Sequence, residues 1–276
     1  MSRTDQGATA SNWTVPTGGW RSASGVLAWP PVAGLRLELL GRWRLSDGDV
    51  GVVLPATARR LVALLALSGP RSRPFVAGCL WPEGSDTQAL GNLRATVSRL
   101  RRVRPDLLLT EPGLLALPPR LAVDVHLLHD LADEVIHGDG DVPQGALAGL
   151  TEAELLPGWY DDFVMLRRER LEQLRLHALE ALADRLCAQG DYPDAVGAAL
   201  AAVHAEPLRE SAHRALIRVH LAEGNHAAAI RQFRVFRDLV RRELGLEPSA
   251  RMAALLTATR VVPAVAEGKK ARHAGR

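Results

Sequence analysis

The sequence is poor in cysteine, lysine and aromatic residues. Its 276 residues include two cysteines, Cys79 and Cys187. They lie far apart, each in an apolar helical pattern, and neither has the spacing of a disulfide framework, a zinc site or a redox pair. Buried thiols in a reducing compartment account for them. No apolar run approaches the roughly 20 residues of a membrane span, and the N-terminus lacks the charged, apolar, small order of a secretory signal. These absences predict a cytoplasmic protein with no membrane partner. No Gly-x-x-x-x-Gly-Lys-[Ser/Thr] occurs, so ATP binding is not expected. His126, His129 and Asp130 form one histidine-containing set, and His204, His213 and His220 another. Neither is accompanied by an HExxH, CxxC or EF-loop pattern. No catalytic residue, metal or cofactor is expected, and the chain is read as a non-enzyme.

Arginine supplies nearly all the positive charge, because the only lysines are Lys269 and Lys270. That bias alone reads as genome composition. The distribution of charge says more. The formal net charge is only +3, yet residues 35–104 hold 12 Arg against 5 acidic residues, and residues 125–262 hold 15 Arg against 21. A basic half beside an acidic half points to one part that meets a polyanion and another that does not. The hydrophobic fraction, 47%, is ample for one or two packed domains at this length.

The sharpest feature lies between Thr87 and Arg104. Leu90, Leu93, Val97 and Leu100 recur at the spacing of one buried helix face. At about 100° per residue, the opposite side carries Gln88, Asn92, Ala95, Ser98, Arg99 and Arg102, with Arg94 and Arg101 on the flanks. No acidic residue lies within this stretch, so i,i+4 ion pairs do not explain its arginines. Arg reads guanine, Asn and Gln read adenine, and small residues allow close approach in the major groove.

Along the chain, residues 1–33 are rich in Gly, Ser, Thr and Pro and read as a disordered leader. Trp13, Trp20 and Trp29 within it read as incidental rather than as a docking motif. Period-two alternation over 35–54, with Asp47-Gly48-Asp49 as a turn, predicts three short antiparallel strands. Helices follow over about 57–68, 74–80 and the arginine stretch, with Pro105 closing the third. Leu107–Thr110 and Leu114–Leu117 flank Glu111-Pro112-Gly113 as a hairpin. Strands, three helices and a hairpin in this order predict a winged helix-turn-helix over 34–118, its third helix in the major groove and its hairpin wing along the backbone or minor groove. Pro118-Pro119 opens a linker over 119–123.

Everything beyond reads as helical, over 124–262. One long helix is expected from Trp159 to Ala188, with Phe163, Leu166, Arg170, Leu174, His177 and Ala181 on one side and Trp159 and Tyr160 as anchors. Trp81 is expected in the winged-helix core. Gln189-Gly190-Asp191-Tyr192 with Ala195 recurs as Glu223-Gly224-Asn225-His226 with Ala229, and Leu182 pairs with Leu216 at the same 34-residue offset. That is the tetratricopeptide period. Ala202 is matched by Phe236, and the closing Pro207 by a delayed Pro248. A basic tail over 263–276, with Lys269, Lys270, Arg272 and Arg276, reads as disordered. The fold class is mostly α with small β.

These pieces resemble the antibiotic regulatory proteins of actinobacteria, the SARP-type activators. The first half is similar to their OmpR-like winged helix through Leu39-Leu40-Gly41, Leu80-Trp81-Pro82, Asn92-Leu93-Arg94 and Ser98-Arg99-Leu100-Arg101-Arg102. The second is similar to their bacterial transcriptional activation domain through Leu156-Pro157-Gly158-Trp159, Glu206-Pro207-Leu208-Arg209-Glu210 and Glu243-Leu244-Gly245-Leu246-Glu247-Pro248-Ser249. The resemblance implies an activator that binds direct repeats in double-stranded DNA near promoters, as a homodimer on DNA, and recruits RNA polymerase, commonly at secondary-metabolite genes. It also implies nucleoid association. No receiver domain accompanies it, so aspartyl phosphorylation is not expected. Gly113-Leu114 departs from the Gly-Tyr pair common in related wings.

Base reading is expected of Asn92, Arg94, Ser98, Arg99 and Arg102, with Arg94 carried more by the resemblance than by helical phase. Phosphate contacts are expected of Arg59, Arg60, Thr96, Arg101 and Arg104. The alternative is a tetratricopeptide-like adaptor whose winged helix binds protein or polymerase rather than an operator.

Overall fold

The computed structural model describes residues 34–111, 113–151 and 153–257. The leader over 1–33, with its three tryptophans, and the tail over 263–276 lie outside the described residues. Strands β1 (Leu35–Glu38), β2 (Arg44–Asp47) and β3 (Val50–Gly51) form an antiparallel meander. Leu35 and Leu37 of β1 point inward, and Leu37 pairs with Leu45. Gly48 takes a positive φ of 58° in the Asp-Gly turn between β2 and β3.

Helix α1 (Ala56–Ser68) buries Leu61, Leu64 and Leu65 and stops at Gly69, where φ is 73°. The short strand β4 (Arg71–Ser72) leads into α2 (Arg73–Leu80). Ser72 caps α2 by accepting the Phe75 N–H, and Pro74 sits in the first turn where its missing donor costs nothing. Helix α3 (Asp86–Val103) opens on a reciprocal capping box between Ser85 and Gln88. A 3-10 turn over Pro105–Leu107 carries the chain to the wing, β5 (Leu109–Glu111) and β6 (Leu114–Ala116), and β4 completes the wing as a third strand.

The segment expected as a linker over 119–123 is built into the fold. Ala122–Val123 form β7, which pairs parallel with β1 and becomes the fourth strand of the first sheet. Helix α4 (Asp124–His137) starts at once. Asp124 Oδ2 accepts the N–H of Leu39 at 2.7 Å and of Leu40 at 2.8 Å, and Oδ1 accepts that of Val125 at 2.8 Å. The chain then crosses back. Leu40 bridges to Leu155, and the Leu156 N–H donates to the Leu39 carbonyl at 2.8 Å. One apolar core runs unbroken from the first sheet into the helical half.

Helices α5 (Ala146–Leu150), α6 (Asp162–Gln189), α7 (Tyr192–Ala205), α8 (Glu210–Ala222), α9 (His226–Leu244) and α10 (Ala250–Thr257) follow. The 34-residue period is visible atom by atom. Gly190 and Gly224 both take the left-handed turn, at φ 81° and 83°. Asp191 accepts the Asp194 N–H at the start of α7, and Asn225 accepts that of Ala228 at the start of α9. Leu182 and Leu216, and Ala195 and Ala229, are buried in matching positions. Phe236, which stands for Ala202 in the second copy, stacks on the buried His213 with ring centroids 4.4 Å apart and anchors a separate small core with Ile217, Val240 and Met252.

Helix α6 starts at Asp162, not Trp159, and its buried side differs from the one expected. Val164, Leu171, Leu176, Leu179, Leu182 and Leu186 are buried, while Leu166 is exposed. The helix packs against α4, α5, α7 and α8, so it buries more than one face, and a single-stripe reading misplaces its phase. Tyr160 is exposed and anchors nothing, whereas Trp159 and Trp81 are half-buried against the core. The turn before α6 is held by Arg168, whose guanidinium donates to the carbonyls of Leu155, Leu156 and Trp159. Leu156 adopts a φ of 44° there, and the three bonds to Arg168 hold its neighbourhood in that conformation.

Candidate nucleic-acid interface

The candidate interface is the outer side of α3. Ala89, Leu93, Thr96, Val97 and Leu100 face the core, and Leu90 is only half-buried. The buried stripe is therefore rotated towards Ala89 and Thr96 relative to the one read from the leucines. With that phase, Ser98 and Arg102 lie most directly opposite the core, Arg94 and Arg101 on one flank, and Asn92 and Arg99 on the other. All six are exposed.

Arg94, Ser98, Arg101 and Arg102, with Val97 at the floor, line a cleft of 460 Å³ together with Arg73 from the start of α2. Sequence reading missed Arg73. Its signal was its place just ahead of Pro74, at the first turn of a helix that packs on α3. The side chains of Arg94, Arg99 and Arg102 make no ion pair among the described residues. Four guanidiniums around one cleft, with no carboxylate partner for Arg94 or Arg102, form a surface whose electrostatic complement is a polyanion. The wing tip comes close to this face, since the Arg73 N–H reaches the Gly113 carbonyl at 3.4 Å and Gly113 turns with a φ of 81°. The exposed side chain after it is Leu114.

Four residues expected at phosphates are placed elsewhere. Thr96 is 2% exposed and belongs to the core side of α3. Arg104 donates through Nη1 and Nη2 to Asp47 Oδ2, both at 3.0 Å, and through Nε to Asp106 at 3.2 Å. It staples the end of α3 to the first sheet, and the Asp47 carboxylate raises its proton affinity above the usual guanidinium value. Arg60 Nε donates to Asp161 Oδ1 at 2.8 Å, joining α1 to the residue that precedes α6. Arg59 is half-buried, with its guanidinium over the Trp43 ring at 5.8 Å and its Nε enclosed without a partner. Of the expected phosphate set, Arg101 alone lines the cleft.

The histidine sets do not converge. His126 Nε2 lies 2.8 Å from the Ala66 carbonyl, and His213 sits between the Pro207 carbonyl and Gln232. No group of three or more His, Cys, Asp or Glu gathers for a metal among the described residues. No described helix is long and apolar enough to cross a membrane.

A winged helix with an outward cationic third helix, fused through a shared core to a tetratricopeptide-like helical array, defines a class of regulatory architecture. Residues 141–260 match the bacterial transcriptional activator domain. The chain is 34% identical over 244 residues to the regulatory protein AfsR of Streptomyces griseus, covering 80% of this chain and 24% of that protein. It is 32% identical over 231 residues to AfsR of Streptomyces coelicolor, covering 78% and 23%. It thus spans about a quarter of the length of these relatives. The solved structure of Mycobacterium tuberculosis EmbR in complex with a low affinity phosphopeptide has the same fold, with a TM-score of 0.65 at 20% identity over 81% of this chain and 64% of that one. Residues 141–260 therefore carry a bacterial transcriptional activator domain, and about four fifths of the chain is similar in sequence to the AfsR regulatory proteins.

Proposed function

We propose that this chain is a sequence-specific DNA-binding transcriptional activator without catalytic activity, working in the cytoplasm on the nucleoid. Helix α3 enters the major groove. Arg94, Ser98 and Arg102 address base edges, Asn92 and Arg99 read from the other flank, and Arg101 and Arg73 hold phosphates. The winged helix comprises residues 34–118. The helical domain over 124–262 presents a surface to RNA polymerase. A single winged helix covers few base pairs, so two copies on direct repeats supply the buried area that a specific site needs. Secondary-metabolite promoters are the natural targets, as in the SARP-type family.

The observation that carries this reading is the cleft ringed by Arg73, Arg94, Arg101 and Arg102 on the exposed side of α3. The purified full chain should select a defined sequence from a pool of random duplexes and bind it far more tightly than unselected DNA, with affinity falling as salt rises. Failure to enrich any sequence, or equal affinity for selected and random duplexes, overturns it.

A further inference from the structure

Charge in the helical half is sorted by position. Helix α9 is cationic, with five arginines against two carboxylates. Its Ala229, Phe236 and Val240 are buried with Ile217 of α8 and Met252 of α10. On the other side Ile230, Arg231, Arg234, Val235, Arg241 and Arg242 are exposed, and Arg231 to Arg242 span about 16 Å of helix. Arg241 pairs with Glu247 and Arg242 with Glu243. Asp238, the carboxylate within that side, is engaged by Arg237 at 3.1 Å. Arg231 and Arg234 make no ion pair among the described residues. Two exposed aliphatic side chains set among arginines suit a protein surface better than a phosphate backbone.

The chain carries the complementary surface itself. No Lys or Arg occurs between Arg120 and Arg167. Asp130, Asp133 and Glu134 share the exposed side of α4 at i, i+3 and i+4, and Asp139 and Asp141 are exposed in the loop after it. Arg185 holds that loop to the end of α4 by donating to the Glu134, Val135 and Gly140 carbonyls at 2.7, 3.0 and 2.7 Å. These five carboxylates make no ion pair among the described residues, and the other titratable side chains exposed on this side of α4 are His126, His129 and His137.

The two faces stand at opposite ends of the array, because α4 packs on α6, α6 on α8 and α8 on α9. End to end across a two-fold axis, like charge would meet like. End to end by translation, the α9 face of each copy meets the α4 face of the next. A head-to-tail contact of that kind joins two different surfaces, and direct repeats in DNA set successive copies in the same orientation.

We propose that the exposed face of α9, with Arg231 and Arg234 at its centre, docks on the acidic face of α4 in a second copy of this chain, head to tail, on adjacent direct repeats. The role on DNA rests on the DNA-binding reading above. Exposed ion pairs are individually weak, so the contact is slight between free copies and is felt when DNA holds two of them side by side at high effective concentration.

The test is a charge swap in the full chain, read on duplexes carrying one or two direct copies of the sequence it selects from a random pool. The wild type should bind the double site cooperatively, by roughly tenfold over two independent sites. Arg231→Glu with Arg234→Glu should bring that factor to about one and leave single-site affinity unchanged. Asp130→Arg with Asp133→Arg should do the same, and Asp139→Arg with Asp141→Arg replaces it if the α4 variant melts early. A chain carrying both reversals should regain cooperativity, which neither a folding defect nor a lost DNA contact would allow. Cooperativity that survives either reversal overturns the interface, as does a double reversal without rescue. A single-site affinity lowered by the α9 reversal also overturns it, because the face then holds phosphates. Sedimentation of the concentrated chain at low salt reads the contact without DNA, as weak self-association lost in either reversal and regained in both together. A chain that selects no sequence yet shows this pattern overturns the DNA reading and keeps the interface, and a chain that binds DNA with no such pattern in either assay does the opposite.

Discussion

The carboxylate of Asp124 accepts the backbone N–H of Leu39, 85 residues earlier in the chain, at 2.7 Å. That bond ties the first helix of the helical half to the backbone just beyond the first strand. Burial pushes the carboxyl up to about 6, against the opposing pull of the Leu40, Leu39 and Val125 N–H groups. The sign of the consequence is unusual for an aspartate. Between about pH 4 and pH 6 the folded chain binds this proton more tightly than the unfolded chain. The group therefore adds stability as pH falls through that window and withholds it above, by at most about 3 kcal/mol. Asp124→Asn should flatten this component, seen as a difference between the melting profiles of the two proteins from pH 4 to pH 7. Asp124→Ala strands three buried donors and should cost about 2–4 kcal/mol by denaturant unfolding at any pH in that range. A variant that melts in parallel with wild type at every pH contradicts the account.

Arg104 is tied into the fold by the carboxylates of Asp47 and Asp106. Its two bonds to Asp47 and its two bonds to Asp106 occupy the guanidinium. Both partners are partly exposed, so Arg104→Ala should cost only about 1 kcal/mol of stability. Its effect on the salt slope of DNA binding should be nil. A slope lowered by about one unit would return Arg104 to the phosphate contacts.

On α3 the arginines proposed to read bases and the one proposed to hold phosphate make separable contributions. Arg94→Ala or Arg102→Ala should cost about 1–3 kcal/mol on the selected duplex and narrow the gap to random DNA. Arg101→Ala should weaken both duplexes alike and lower the salt slope. Fluorescence anisotropy titrations on the two duplexes decide this, and an Arg102→Ala variant with intact discrimination removes that residue from base reading.

The arginine helix was legible because its signals are local. A greasy stripe, a run without carboxylates and a closing proline all lie within 20 residues of one another. Its phase was less legible. Leucine spacing suggested Leu90 as a buried position, whereas the packed helix prefers the small Ala89 and Thr96 on that side. The repeat was legible because it recurs at a fixed offset. What stayed hidden depends on distant partners. Nothing near Arg60 announces Asp161, and a two-residue strand such as Ala122–Val123 is too short to show an alternation. Arg59, Arg60, Thr96 and Arg104 look interchangeable with Arg101 in sequence, and only their neighbours in space separate them.

The two helix caps of the repeat offer a test of its equivalence. Asp191 and Asn225 occupy matching places, each accepting the N–H three residues on, from Asp194 and Ala228. Replacing either by alanine should cost about 1 kcal/mol, and the exchange Asp191→Asn or Asn225→Asp should be nearly neutral. The consequences should differ in extent. Helix α7 is flanked by α6 and α8, whereas α9 packs on α8 and the short α10. In an array whose units touch only their neighbours, the outermost unit opens first. Asn225→Ala should therefore speed amide exchange in α9 while leaving α6 and α7 protected, and Asp191→Ala should lower protection across α6 to α8 together. Uniform loss of protection in both variants would mean that the helical half unfolds as one unit and that the repeat is a pattern of sequence without separable energetics.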